Sequence, residues 1–247
     1  MTSHPRGDEF LRVLVVVPAW NERESLPHLL PELAVSLPNA HVLVVDDGST
    51  DGTADVVRRA GGQVLILPFN VGVGGAMRTG FLYALRHGYS AVVQVDADGQ
   101  HNPADVGRLL AELAAGADVA VGARFAGVGE YRVRGPRWLA MRLLAAVISR
   151  FVGVRLTDVT SGFRASGSRA IELFAHSYPP EYLGDTVESL LLAERAGLKI
   201  AQVPVAMRPR IAGSPSQSAI RSTIYLARAL LVLALALVRT SAKGDPA

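Results

Sequence analysis

The chain has no cysteine. That excludes a disulfide scaffold and a thiolate-bound zinc, and it suits a reducing compartment. Lysine is almost absent too, at Lys199 and Lys243 only, so nearly all positive charge is arginine. Aromatic residues make up 6% of the 247 positions against 49% hydrophobic, so aliphatic packing must build the core. No signal-peptide pattern opens the chain. The first ten residues are polar and the apolar run at 11–17 ends in Pro-Ala-Trp-Asn, with no small-residue cleavage site, so no leader is expected. An uninterrupted membrane span is also lacking. Residues 219–238 reach the roughly 20 residues a span needs, but Arg221 and Arg228 lie inside them. Each central arginine costs about 2.5–3.5 kcal/mol on insertion scales. An interfacial helix, or one docking a membrane-protein partner, is expected there, with a core helix as the alternative.

What is present is a regular alternation. Short apolar runs at 11–17, 63–70, 91–99 and 117–124 read as strands, with a further strand and its loop at 41–53. Between them lie helical patterns at 26–37, near 53–59 and at 104–115, and the glycine-rich 71–80 leads into a helix that runs through Arg86. Strand–helix repetition predicts an α/β fold with a mostly parallel sheet and right-handed crossovers. A basic, apolar helix is expected at 136–151, a polar stretch at 157–167, a helix near 185–196 and a strand at 200–210. The simplest division is a polar tail at 1–10, one domain at 11–212, and a loop with a C-terminal helix at 213–247.

Ligands of open parallel sheets bind at the carboxyl ends of the strands. The polar clusters PAWNE, DDGSTDGT, NVGVGG and DADGQH all fall at such ends, which points to a binding edge for something polar. GVGGAMRTG is no dinucleotide fingerprint, because Met77 stands where a third glycine is required and the motif follows the third strand. Its glycines serve either close helix packing or approach to a phosphate. Asp96 and Asp98 flank Ala97, so on an extended strand end they share one side. With Gln100 they form a sparse oxygen-donor set for Mg²⁺ or Mn²⁺, or else an ordinary Asp-Gly turn. Arginines 124, 132, 134, 137, 142, 150 and 155 crowd one region, suited to phosphate or to a membrane surface or to plain solvent.

VVVPAWNE, VVDDGSTDGT, NVGVGGAMRTG, VQVDADGQH, VGARF and DVTSGFRA follow one another as in family 2 glycosyltransferases. More narrowly, the chain resembles the dolichol-phosphate mannosyltransferase-like, or polyprenyl-phosphate glycosyltransferase, branch. That resemblance implies a GT-A fold and an inverting transfer from a nucleotide-diphosphate sugar, such as GDP-mannose or a UDP-hexose, to a polyprenyl phosphate. It implies that Pro18, Ala19, Asn21, Glu22, Asp46, Asp47, Asp96 and Ala97 bind the nucleotide sugar. Asp96, Asp98 and Gln100 would hold the metal, and Arg124, Arg134, Arg137, Ser161 and Arg164 the acceptor phosphate. Asp98, Arg124, Arg137 and Arg210 would carry catalysis, with Arg210 opening a closing loop. That loop reads RIAGSPSQ, departing from the usual R-x-x-G-x-S-K by an extra residue, a proline and a missing lysine. Trp20 replaces a usual tyrosine as the flat face for a base. A peripheral enzyme at the cytoplasmic face of the membrane is expected, with no nucleic-acid partner. Its rivals are a family 2 enzyme using a soluble hydroxyl acceptor, with Asp185 or Glu188 as base, and a non-catalytic nucleotide or membrane-surface module.

Overall fold

A computed structural model describes residues 11–124, 136–180 and 184–210. Seven strands form one sheet: β1 Val13–Ala19, β2 His41–Asp46, β3 Gln63–Ile66, β4 Ala91–Gln94, β5 Val119–Ala123, β6 Arg164–Gly167 and β7 Ile200–Pro204. Their spatial order is β3-β2-β1-β4-β6-β5-β7. All neighbours pair in parallel except β6, which runs antiparallel to both β4 and β5. The helices are α1 Leu26–Ser36, α2 Thr53–Arg59, α3 Gly72–Arg86, α4 Val106–Ala114, α5 Pro136–Val152, α6 Ser168–Ser177 and α7 Gly184–Arg195. The sheet is thus the mostly parallel one expected.

Alternation along β1 shows how the sheet divides two cores. Leu14 and Val16 face a layer with Met77, Phe81, Leu144, Ile148, Phe174 and Leu190, drawn from α3, α5, α6 and α7. Val13, Val15 and Val17 face Leu26, Leu29, Leu33, Val57 and Leu109 of α1, α2 and α4. Because both faces are covered, the strands read as continuous apolar runs.

Three expectations need correcting. The polar stretch at 157–167 is not all loop, since it contains β6, and helix α6 follows where none was expected. β6 is four residues of Arg, Ala, Ser and Gly, with no β-branched or aromatic signal. The helix expected to begin at 104 opens as a 3₁₀ turn, Pro103–Asp105, with the Asn102 side chain accepting from the Ala104 amide. Finally, β4 ends at Gln94, so Asp96 and Asp98 lie in the turn beyond it rather than on an extended strand. The tail at 1–10 and the helix expected at 219–238 lie outside the described residues.

Helix α3 lies close on the sheet through Gly80, where a Cβ would stand 2.6 Å from Val16 Cγ1. Gly80→Ala should therefore destabilise the protein by about 1–3 kcal/mol, as overpacking does, despite alanine's better helix propensity. Gly107→Ala in α4, with nothing within 4 Å of its Cβ, should be neutral or stabilising by up to about 1 kcal/mol. Denaturant unfolding of both variants measures the contrast.

Candidate active site

The loops after β1 and β2 are stitched together. Asn21, in the left-handed region at φ 55°, accepts from the Thr50 amide at 2.9 Å and donates its own amide to Ser49 Oγ. The amides of Glu22 and Arg23 donate to Thr53 Oγ1 and Asp51 Oδ2. Pro18 and Ala19 end β1 beneath this seam. Asp46 accepts from the Ser49 amide at 3.0 Å. Asp47 does something else: its two oxygens accept from the amides of Val71 and Gly72, at 2.7 and 2.9 Å, where α3 begins. Burial pushes the Asp47 carboxyl up against those two bonds, and the Asp46 charge adds to it. The acidic pair therefore divides, one member closing its own turn and the other fixing a helix end.

The glycines of α3 serve close packing. A Cβ at Gly74 would lie 2.1 Å from the Pro179 carbonyl oxygen, and one at Gly72 3.3 Å from that of Pro180. Trp20 and Phe69 are exposed flat side chains, at 43% and 66%.

Beyond β4 the chain turns through Asp96, Ala97, Asp98 and Gly99. Asp98 is nearly closed off, with 10% of its side chain exposed, whereas the Asp96 side chain is 37% exposed. Asp98 Oδ1 accepts from the Gln100 amide at 2.9 Å, and its Oδ2 stands 3.0 Å from Arg210 Nη2. The other end of the same guanidinium lies 3.2 Å from Glu22 Oε1, while Ser25 Oγ donates to Glu22 Oε2 at 2.6 Å. Arg210 thus ties the β1 loop to the β4 turn. Burial raises the carboxyls of Asp98 and Glu22. The charge of Asp96 raises Asp98 further, while Arg210 pulls both down. Ala97 is buried in the core, and the closing loop beyond Arg210 lies outside the described residues.

This corner fits a hard divalent cation. Its donors are carboxylate oxygens with Gln100 beside them, and an added positive charge would offset the repulsion between Asp96 and Asp98. Among the described residues no group of three or more His, Cys, Asp or Glu could hold a metal. Protein ligands alone would leave positions for water or phosphate oxygens, as Mg²⁺ sites commonly do.

The arginines brace the neighbouring loop. Arg124, just past β5, forms a two-pronged ion pair with buried Asp158, at 2.5 and 2.8 Å, and donates to Thr160 Oγ1 at 2.7 Å. Burial would raise Asp158, but the bonds and charge of Arg124 outweigh it and hold the carboxyl below its ordinary value. Arg164 is buried on β6 and donates to the carbonyls of Ser161 and Val159 and to Ser189 Oγ. Ser161 is buried as well and accepts from the Phe163 amide. Arg124, Ser161 and Arg164 are the groups expected to meet the acceptor phosphate. Each is engaged within the protein. Arg137 lies in the first turn of α5, and Arg134 lies outside the described residues. Asp185 is buried at the start of α7 and Glu188 is exposed. Leu139, Leu143 and Phe151 are exposed along α5, which also carries Arg142 and Arg150. No helix among the described residues is long and apolar enough to cross a membrane.

Sequence reasoning assigned no role to Gln94, His101, Asp158 or Gly162, all of which touch this site. A signal existed for Gln94, a lone amide inside the apolar run VVQV.

A profile described as Glycosyl transferase family 2 matches residues 14–177. A polyprenol monophosphomannose synthase from Mycolicibacterium smegmatis is 41% identical over 65% of this chain, the match spanning 63% of that protein. An undecaprenyl-phosphate mannosyltransferase from Micrococcus luteus is 36% identical over 84% of this chain and 88% of its own. Among solved structures, glucosyl-3-phosphoglycerate synthase from Mycobacterium tuberculosis, in complex with Mn²⁺, UDP and glucosyl-3-phosphoglycerate, superposes with a TM-score of 0.69. It is 22% identical, over 95% of this chain and 86% of the other, and shares the fold, of GT-A type.

Because Asp98 is raised in the folded state, its ionised form opposes folding. The penalty is present at neutral pH, is relieved as pH falls through the raised value, and vanishes below the ordinary carboxyl range near 4. Asp98→Asn should accordingly stabilise the metal-free protein at pH 7 by about 0.5–2 kcal/mol, the usual gain at a strained functional site. That gain should shrink toward zero near pH 4, as read by thermal unfolding of both proteins across pH.

Proposed function

The chain belongs to glycosyl transferase family 2, and on that basis we propose that it moves a sugar from a nucleotide-diphosphate sugar to a polyprenyl phosphate with a divalent cation bound. The observation that carries this reading is the turn after β4. It carries one open and one buried carboxylate just past the carboxyl end of a central strand in a chain akin to a polyprenol monophosphomannose synthase and an undecaprenyl-phosphate mannosyltransferase. Mg²⁺ or Mn²⁺, held by Asp96 and Asp98 with Gln100 near, would supply positive charge where the nucleotide diphosphate departs.

The remaining steps belong to the chain's own residues. An acceptor phosphate is already an anion, so its oxygen attacks the anomeric carbon without a strong general base, and positioning and electrostatics dominate. A single displacement inverts the anomeric centre. Residues 18–22 and the loop carrying Asp46 form the donor floor, with Trp20 offering a face to the base. Arg210, between Glu22 and Asp98, brings a permanent charge to the donor side. Arg134 and Arg137 are the arginines we assign to the acceptor phosphate. Arg124, Arg164 and Ser161 shape the loop beside it. The apolar and basic face of α5 suits the headgroup layer of the cytoplasmic leaflet, where the lipid acceptor would be met.

Incubation with Mn²⁺ or Mg²⁺, a short polyprenyl phosphate and a panel of GDP- and UDP-sugars tests this. The expected product is the lipid phosphate heavier by one sugar, abolished by chelation. Equal transfer to the corresponding polyprenol, or full activity in chelator, would overturn the reading. Asp98→Ala should lower kcat by about 10²-fold or more.

A further inference from the structure

Asp96 is the most open carboxylate of the site, yet its rear is held from several directions. From β4, Gln94 Nε2 donates to Asp96 Oδ1 at 2.9 Å. Gln94 is itself buried and lines a small internal cavity with Arg164, Ser166, Ser189 and Tyr178. From the far side of the turn, His101 Nδ1 accepts from the Asp96 amide at 3.0 Å. In a neutral ring with Nδ1 accepting, the proton sits on Nε2, and Nε2 stands 3.6 Å from Asp96 Oδ2. That separation is a close electrostatic contact and not a hydrogen bond, so His101 holds the turn through the Asp96 amide it accepts from, with the Nε2–H dipole near the carboxylate. The ring cannot readily swing away. It is 4% exposed and stacks on Phe163 at 4.8 Å and 19°.

A third wall is Gly162. A Cβ there would lie 2.7 Å from Gln94 Nε2 and 3.3 and 3.4 Å from the two Asp96 oxygens. Backbone thus closes over the pair where any side chain would intrude. With these three sides filled, the Asp96 side chain still keeps 37% of its surface exposed.

We infer that Gln94 and His101 are positioning residues that fix the Asp96 carboxylate in the orientation in which it takes a divalent cation. The inference rests on the metal-dependent reading above. A carboxylate on a free rotor would lose its rotational freedom on binding the ion, whereas one already oriented does not. Outer partners of metal ligands typically change affinity by about 10–100-fold.

The test is Mn²⁺ titration, followed by electron paramagnetic resonance, of the full chain with GDP or UDP present. Gln94→Leu and His101→Asn should each weaken Mn²⁺ binding by about 10–100-fold. Asparagine keeps an acceptor for the Asp96 amide and removes the Nε2–H dipole. Thermal unfolding in metal-free buffer reports whether each variant is folded. If His101→Asn is not, Gln94→Leu decides alone, its amide replaced by an apolar group of similar size. The readout that separates positioning from general damage is the double variant. Adding Gln94→Leu to Asp96→Asn should produce no further loss, because the amide acts through that carboxylate. Wild-type affinity in the folded single variants, or an undiminished Gln94→Leu effect without the Asp96 carboxylate, would overturn the inference. Failure of the wild type to bind Mn²⁺ at all would instead overturn the metal reading, and the inference with it.

Discussion

Two carboxylates one residue apart in a tight turn, one of them almost buried, set the terms for everything around them. Desolvation and like charge both oppose ionisation of Asp98. Left alone, such a corner would protonate or unfold locally. The protein counters with a guanidinium brought from beyond β7, shared between Asp98 and Glu22. It adds a backbone amide from Gln100 and a buried hydroxyl from Ser25. Those groups hold the corner together without neutralising it fully, and the proposed cation would offset the charge that is left.

The sheet makes that corner possible. Inserting β6 antiparallel between β4 and β5 pairs Gln94 with Arg164 and Val93 with Ala165. This register carries residues 157–163 to the end of β4, where Gly162 leaves no room for a Cβ beside Gln94 and Asp96 and Phe163 stacks on His101. Arg124 anchors the same loop to β5 through Asp158. The turn after β4 and the loop before β6 therefore share a wall. Arg164 adds a buried positive charge behind that wall, its pKa lowered first by desolvation and its donors used by carbonyls and a hydroxyl.

Much of this was legible in the residues. Valine-rich runs gave β1, β2, β4 and β5 because burial on both faces leaves no polar alternation to mislead. The helix expected at 53–59 matches α2, whose first turn follows Gly52 at φ 90°. DADGQH marked two carboxylates beyond a strand, although the extended backbone expected for them is a turn. β6 stayed hidden for a physical reason: a strand flanked on both sides by others needs no intrinsic propensity of its own, and four small or charged residues offered no period. The division of labour between Asp46 and Asp47 was hidden too, since which carboxylate meets the start of α3 depends on how Gly48 turns against Phe69. So was the inward use of Arg124 and Arg164. An arginine's spacing in sequence says nothing about whether a buried carboxylate or carbonyl will meet it first.

The central claim is that this turn is a cation platform. Manganese is directly visible by anomalous diffraction, so crystals grown with Mn²⁺ and a nucleoside diphosphate give the most direct test. The account predicts an anomalous peak about 2.0–2.3 Å from carboxylate oxygens of Asp96 or Asp98, the span usual for hard divalent ions on oxygen, shared with diphosphate oxygens. A peak elsewhere, or nucleotide bound with Arg210 still paired to Asp98 and no metal beside it, would contradict it.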